Sequence, residues 1–577
     1  FHIPNCIFLI NMLRISVVTS SSVIKMDNRP EHMTTVDIET TDGPIYGYVD
    51  KRDEEIYYTF KKIPYAKPPV GHLRFMVSTY LNVNLLFNKS IKTKVTHTSN
   101  IEVQICGSED CLYIEVISPN IKPTKHLPVM FWIGCYGFSV YYDNLLDPSL
   151  LVNQQVVFVR CGFRLGPFGF LSINDFAAPG NNGLKDVVQA LRWVKKNIHS
   201  FGGDKDNVTL FGNSSGGAIV HLMMLSPMAT GLFHKAIIQS ASALNSWALS
   251  RNPRSATMEL AKHLGITNCC ATEVVEELRK LSAVEIMNTF HEMSETFSKV
   301  VGNMFDAIFK PCIEEEFEGQ TMFLTKSPYL ILKSGNFNKV PIIIGCNNSE
   351  AALLQFIHKD FYNFELYNDN ANLLVPRELA GETKILKGIG HQLIKFYLGG
   401  EEILTEDTKN QYLQLLSDYY FLYYVHKTVR LHKQYAPECE VYYYVMNHSG
   451  EWVVPKEYDF FNSVGHSGEI PLIFGLKIEG LQIKGSRESV KARDRVVKLW
   501  SNFAKFGNPT PTEDEPLFNI TWDQVEASEG LNYLSIGSEL TKGKNPFQER
   551  MMFWDKLHHE NTFLRALAYF NDIGVSI

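Results

Sequence analysis

Asn207-Val208-Thr209-Leu210-Phe211-Gly212-Asn213-Ser214-Ser215-Gly216-Gly217 carries the strongest fold signal in the chain. Its first half is an apolar run that suits a buried strand, and Ala218–Leu225 beyond it suits a helix. Between them stands G-x-S-x-G. The pattern alone is common by chance, but a strand before it and a helix after it supply the context it needs. A strand that turns this sharply into a helix tolerates only small residues two before and two after the serine. The Ser214 hydroxyl then sits at a helix N-terminus, where the peptide dipoles favour negative charge. Ser214 is therefore the candidate nucleophile.

Working outward, short apolar runs recur at Pro128–Ile133, Val156–Val159, Lys235–Ile238 and Val340–Ile344. They suit the buried strands of a mainly parallel sheet. Val36–Val49 alternates around Asp42-Gly43, a hairpin signal. Lys185–Ile198 places Val187, Val188, Leu191, Val194 and Ile198 on one stripe, and Ser489–Phe506 repeats the pattern. Strands alternating with such helices predict an α/β domain. Ser250–Phe323 and Asp360–Tyr424 read as helical excursions from the sheet.

Composition agrees. The 577 residues are 45% hydrophobic and 12% aromatic, enough for a large core. Charged residues make up 20%, so the chain is not of the disordered class. Its formal charge of −7 excludes a broad electrostatic grip on nucleic acid. The ten cysteines form no facing CxxC pairs, so no structural zinc site is expected. No stretch of 18 apolar residues occurs, so no transmembrane segment is expected. Ile7–Val18 is apolar but broken by Asn11 and Arg14, and reads either as a signal peptide or as a disordered leader. Ala566–Ile577 is too short and polar for a lipid-anchor signal.

Further blocks stand in a fixed order. Ile63-Pro64-Tyr65-Ala66-Lys67-Pro68-Pro69-Val70-Gly71 precedes Leu73-Arg74-Phe75, and Ser108-Glu109-Asp110-Cys111-Leu112-Tyr113 follows. Next come Arg164-Leu165-Gly166-Pro167-Phe168-Gly169-Phe170-Leu171 and Trp193–Ile198, which leads into Phe201-Gly202-Gly203-Asp204 before the serine. Trp500–Pro509 and Phe553-Trp554 close the series. The chain resembles the type-B carboxylesterase/cholinesterase family of α/β-hydrolases, from about Val36 to Leu557. The resemblance implies the α/β-hydrolase fold, a large central mostly parallel sheet with helical excursions around an active-site gorge. It also implies one domain over 36–560, between a leader at 1–35 and a tail at 561–577.

A serine nucleophile needs an imidazole to take its proton and a carboxylate to orient the imidazole. By resemblance these are His466, in Gly465-His466-Ser467-Gly468-Glu469, and Glu350, in Gly345-Cys346-Asn347-Asn348-Ser349-Glu350. The chain order serine, acid, histidine is that of α/β-hydrolases. Ser240 and Glu469 match polar positions that support the acid and the histidine. Arg74 with Glu109, and Arg164 with Asp186, match structural ion pairs. The reaction so implied is hydrolysis of a small-molecule ester through an acyl-enzyme, with no metal and no organic cofactor.

The chain departs from the family where the oxyanion of the tetrahedral intermediate should be held. Relatives carry H-G-G-G-F; here Trp132-Ile133 leads into Gly134-Cys135-Tyr136-Gly137-Phe138. By position the donors are the backbone N–H groups of Tyr136, Gly137 and Ser215. Loss of one such donor costs on the order of 10²–10³ in rate. Asn213 stands before the serine where relatives carry glutamate. Between Phe75 and Ile105 there is neither the upstream cysteine expected to pair with Cys111 nor the tryptophan that choline recognition would use, and Cys106, nearer than the usual partner, leaves the pairing open. Glu277 stands where a partner for Cys269 or Cys270 is expected. These departures point to carboxylesterases rather than true cholinesterases. They also leave an alternative, a neuroligin-like binding protein on the same fold, which alone would imply a protein partner. Of six N-x-[ST] sites, Asn207, Asn213 and Asn347 lie inside packed motifs, whereas Asn88, Asn447 and Asn519 are free to carry glycans on a secreted chain.

Overall fold

The structure, a computed structural model, describes residues 34–52, 55–78, 107–141, 143, 146–267, 270–301, 307–354, 364–376, 379, 383–400, 402–448, 464–476, 485–511, 519–526 and 530–572. Nearly all of the leader, most of the tract after Phe75, Cys106, Cys269, Asn88 and the last five residues lie outside the described residues.

The strands are β1 (Thr35–Thr40), β2 (Gly43–Arg52), β3 (Glu55–Pro64), β4 (Tyr113–Ser118), β5 (Leu127–Trp132), β6 (Leu146–Asp147) and β7 (Val157–Cys161). After them come β8 (Gly203–Asn213), β9 (Lys235–Gln239), β10 (Ile342–Asn347), β11 (Val441–Met446), β12 (Gly475–Leu476), β13 (Asn532–Ile536) and β14 (Leu540–Lys544). Twelve of them make one sheet in the order β1-β2-β3-β4-β7-β5-β8-β9-β10-β11-β13-β14, and β6 pairs with β12 apart from it. From β7 to β13 every pairing is parallel. The margins, β1 to β7 on one side and β13–β14 on the other, are antiparallel. The expected parallel sheet is thus the centre of a larger mixed one.

Apolar side chains go to both faces of the central strands, as a sheet covered on both sides requires. On β5, Val129 and Phe131 join one buried cluster while Met130 and Trp132 join the other. The helix Asn182–Asn197 covers the first face through Val187, Val188, Leu191 and Val194. The helix Arg487–Phe506 covers the second through Val496, Leu499, Trp500 and Phe503. The excursions between β9 and β11 are helical, among them Pro253–His263, Ala271–Lys280, Ala283–Val301, Thr383–Tyr397 and Tyr423–Tyr435.

Both expected ion pairs form. Arg74 meets Glu109 with two bonds of 2.6 and 2.7 Å and also donates to the carbonyls of Leu278, Arg279 and Leu281. Arg164 meets Asp186 at 2.7 and 2.6 Å and donates to the carbonyl of Met76. Each arginine thereby ties a loop before β4 or after β7 to a distant helix. A third buried pair, Lys185 with Glu314, was not read from the sequence. Breaking such a pair on one side leaves a buried charge and costs about 3–5 kcal/mol.

Among the described residues the cysteines Cys111, Cys135, Cys161, Cys270, Cys312, Cys346 and Cys439 carry free thiols. Cys111 has no disulfide partner among the described residues, and burial pushes its thiol up to about 12. No helix among the described residues is long and apolar enough to cross a membrane.

Candidate active site

In open α/β sheets, ligands bind beyond the carboxyl ends of the parallel strands. There β8 ends in the elbow. Ser214 has φ 59° and ψ −129°, a conformation side chains rarely adopt, and its N–H donates to the carbonyl of Gln239 at the end of β9. The flanking glycines are needed for space. A Cβ on Gly212 would lie 2.8 Å from the carbonyl oxygen of Ile133, one on Gly216 only 2.1 Å from it, and one on Gly217 2.8 Å from that of Gln239. The elbow is therefore wedged between the ends of β5 and β9, with the helix Ser215–Leu225 running back beneath it.

Glu350 opens a short helical turn after β10 and is fully buried. One carboxylate oxygen accepts the N–H of Asn347 at 2.7 Å, and the other meets His466 Nδ1 at 2.7 Å. His466 Nε2 lies 2.7 Å from Ser214 Oγ. A carboxylate can only accept, so the ring proton belongs on Nδ1 and Nε2 is left as the acceptor for the serine proton. The His466 backbone N–H donates to the Glu350 carbonyl at 2.8 Å, which ties the two segments together. The Phe421 ring packs against the imidazole, 4.4 Å between centroids. It stands on Asp418–Leu422, a π-helical turn whose Tyr420 carbonyl accepts from both Asn245 and Trp247.

Glu469 is buried behind this row. Its oxygens accept from Asn213 Nδ2 at 2.8 Å, Asn347 Nδ2 at 2.7 Å, Gln239 Nε2 at 3.3 Å and Ser240 Oγ at 3.4 Å. Ser467 Oγ donates to Asn213 Oδ1 at 2.6 Å. Burial, and then the Glu350 charge, push the Glu469 carboxyl above its usual range. The amides of Asn213, Gln239 and Asn347 take the place of a cation. Their roles escape a sequence reading because β8, β9 and β10 bring them together by register, Asn213 opposite Gln239 and Gln239 opposite Gly345. Asn213 and Asn347, two of the six glycan signals, are wholly buried.

The three expected oxyanion donors separate into two kinds. The turn after β5 is clamped to the elbow, because Ser215 Oγ donates to the Cys135 carbonyl at 3.0 Å and lies 3.2 Å from Cys135 Sγ. Among the described residues the N–H groups of Gly137 and Ser215 find no acceptor. The N–H of Tyr136 does not share that freedom. It donates to the Val140 carbonyl at 2.8 Å, inside a turn that also carries Val140 N–H and Ser139 N–H to the Tyr136 carbonyl. The expectation of Tyr136 as a donor is corrected to that extent: as folded, its N–H is already spent. Gly134 has a separate reason to be glycine. A Cβ there would lie 1.9 Å from Asp143 Oδ1, which accepts the indole N–H of Trp132 at 2.9 Å.

Sheet, elbow and strand-end loops place the chain among the α/β-hydrolases. The model of the carboxylesterase family matches residues 33–554. Juvenile hormone esterase of Tribolium castaneum is 31% identical, over 90% of this chain and 93% of its own. Acylcarnitine hydrolase of Rattus norvegicus is 29% identical, over 90% of both chains. The crystal structure of juvenile hormone esterase from Manduca sexta matches with a TM-score of 0.77 at 24% identity, over 91% of this chain and all of its own, and so shares the fold. The chain belongs to the carboxylesterase family and is a carboxylic ester hydrolase.

Proposed function

We propose that the protein hydrolyses carboxylic esters through an acyl-enzyme on Ser214, with His466 as general base and then acid, and Glu350 orienting His466. The row Glu350–His466–Ser214, with both links at 2.7 Å, is the observation that carries this reading. In acylation the Ser214 Oγ–C bond forms while the alcohol–C bond breaks. The serine proton passes through Nε2 to the departing alcohol. Water then attacks the acyl carbon, its proton returns through Nε2 to Oγ, and the acid leaves. Glu469 supports the end of this row from behind, held by Asn213, Asn347, Gln239 and Ser240. A single domain over 36–560 and a secretory route belong to the same reading. A relative named venom carboxylesterase-6, from Apis mellifera, supports the route.

The relatives' names suggest small, largely apolar ester substrates: juvenile hormone for one, acylcarnitines and pyrethroids for others. The binding-protein alternative rests on one observation, the spent Tyr136 N–H. A fluorophosphonate probe separates the two. Purified protein is expected to be labelled covalently, and Ser214→Ala to remain unlabelled at the same melting temperature. A folded wild type that takes no label overturns the esterase reading.

A further inference from the structure

The turn Gly134–Val140 carries the inference, which rests on the Ser214 mechanism just proposed. For the Tyr136 N–H to reach an oxyanion, the Cys135–Tyr136 peptide must turn over. That movement breaks the bond to the Val140 carbonyl. It also drives Tyr136 toward positive φ, where glycine is at ease and a residue with a Cβ is strained. As folded, Tyr136 lies outside the positive-φ region, while its neighbours Gly137 and Phe138 occupy it at 54° and 58°. The tyrosine ring packs against the apolar cluster of Trp132 and Phe474, and its hydroxyl is buried with no hydrogen-bond partner among the described residues. Backbone preference and hydrogen bond therefore hold the turn in one state. Among the described residues nothing lies within 4 Å of where a Cβ on Gly137 would stand.

We propose that Tyr136 fixes the oxyanion turn in a two-donor state, Gly137 and Ser215, and thereby makes deacylation the slow step. Every tetrahedral intermediate on Ser214 places negative charge on the former carbonyl oxygen, and two donors hold it less well than three. Acylation escapes part of this penalty when the leaving group is acidic, because the alcohol then departs with little help. Deacylation has no such escape, since the acyl-serine is always an ester of an ordinary alcohol. The substrates this site serves best are esters of acidic alcohols, phenols and enols, and its acyl-enzyme accumulates. Tyr136 acts through the position of its own N–H and is a positioning residue.

The test follows p-nitrophenyl acetate through burst and steady state, with Tyr136→Gly beside Tyr136→Ala. Wild type is expected to release one nitrophenolate per protein and then turn over slowly. Tyr136→Gly, free to turn the peptide, should deacylate on the order of 10² faster and bind a trifluoromethyl ketone tighter by a similar factor. Tyr136→Ala, which removes the ring and keeps the Cβ, should do neither. Equal gains in both variants would mean that the ring merely crowds the pocket, and no gain in either would mean that the turn is not limiting; each overturns the inference alone. A wild type that turns over without a burst would overturn the inference, whereas absence of Ser214 labelling and of turnover in every variant would overturn the esterase reading beneath it. Should Tyr136→Gly melt early, the amide proton spectrum of wild type decides. The Tyr136 N–H keeps its chemical shift in the trifluoromethyl ketone adduct if the inference holds, and moves strongly downfield onto the oxyanion if it fails.

Discussion

Two strand ends meet at this site, and they have fared differently. After β8, three glycines, a strained serine and a buried histidine–carboxylate row are in place, and the Glu469 carboxylate behind them is held by Asn213, Gln239, Ser240 and Asn347. After β5, the turn that should meet the developing charge has turned one of its N–H groups to its own Val140 carbonyl. The difference teaches that moving the proton and holding the oxyanion are separable tasks, built by different loops from different kinds of group. In the proposed mechanism side chains do the first and cannot be substituted without loss. Backbone does the second, so a single side chain in the turn can reset it without touching the proton path.

That comparison is broken most forcefully from the β8 side. In Glu350→Gln the amide cannot accept both the Asn347 N–H and the His466 Nδ1–H, so the ring is pushed toward the tautomer that presents a proton to Ser214. Turnover is expected to fall on the order of 10⁴, with acylation and deacylation slowed alike in stopped-flow traces. A fall of only a few fold would remove Glu350 from the orienting role. A smaller effect comes from the joint between the two strand ends. Gly216→Ala drives a Cβ into the Ile133 carbonyl and should cost about 1–3 kcal/mol of stability by denaturant titration. Unchanged stability would show that the elbow is looser than its packing indicates.

The sequence made the β8 side legible because the elbow is written in residue types at fixed spacing, glycine, serine, glycine, and the family resemblance then marks Glu350 and His466 in that chain order. It also gave the central strands, whose apolar runs follow from burial on both faces. The margins were harder. β3 carries Lys61-Lys62 at a bulge between Phe60 and Ile63, with Lys62 at φ 55°, and this breaks the alternation that marks a strand. β11 is wholly buried, but its Tyr442-Tyr443-Tyr444 does not read as an aliphatic run. The support of Glu469 by Asn213, Gln239 and Asn347 depends on register between strands far apart in the chain. The direction of the Tyr136 N–H is a property of backbone dihedrals, which a string of residue names does not contain. Only the missing glycine pointed to it.

The most direct measurement is a crystal structure of the protein with a trifluoromethyl ketone bound covalently to Ser214. The hemiketal oxygen is expected on two donors, the N–H groups of Gly137 and Ser215, with Tyr136 N–H still on the Val140 carbonyl. A third bond from a turned-over Tyr136 peptide to that oxygen would contradict that expectation.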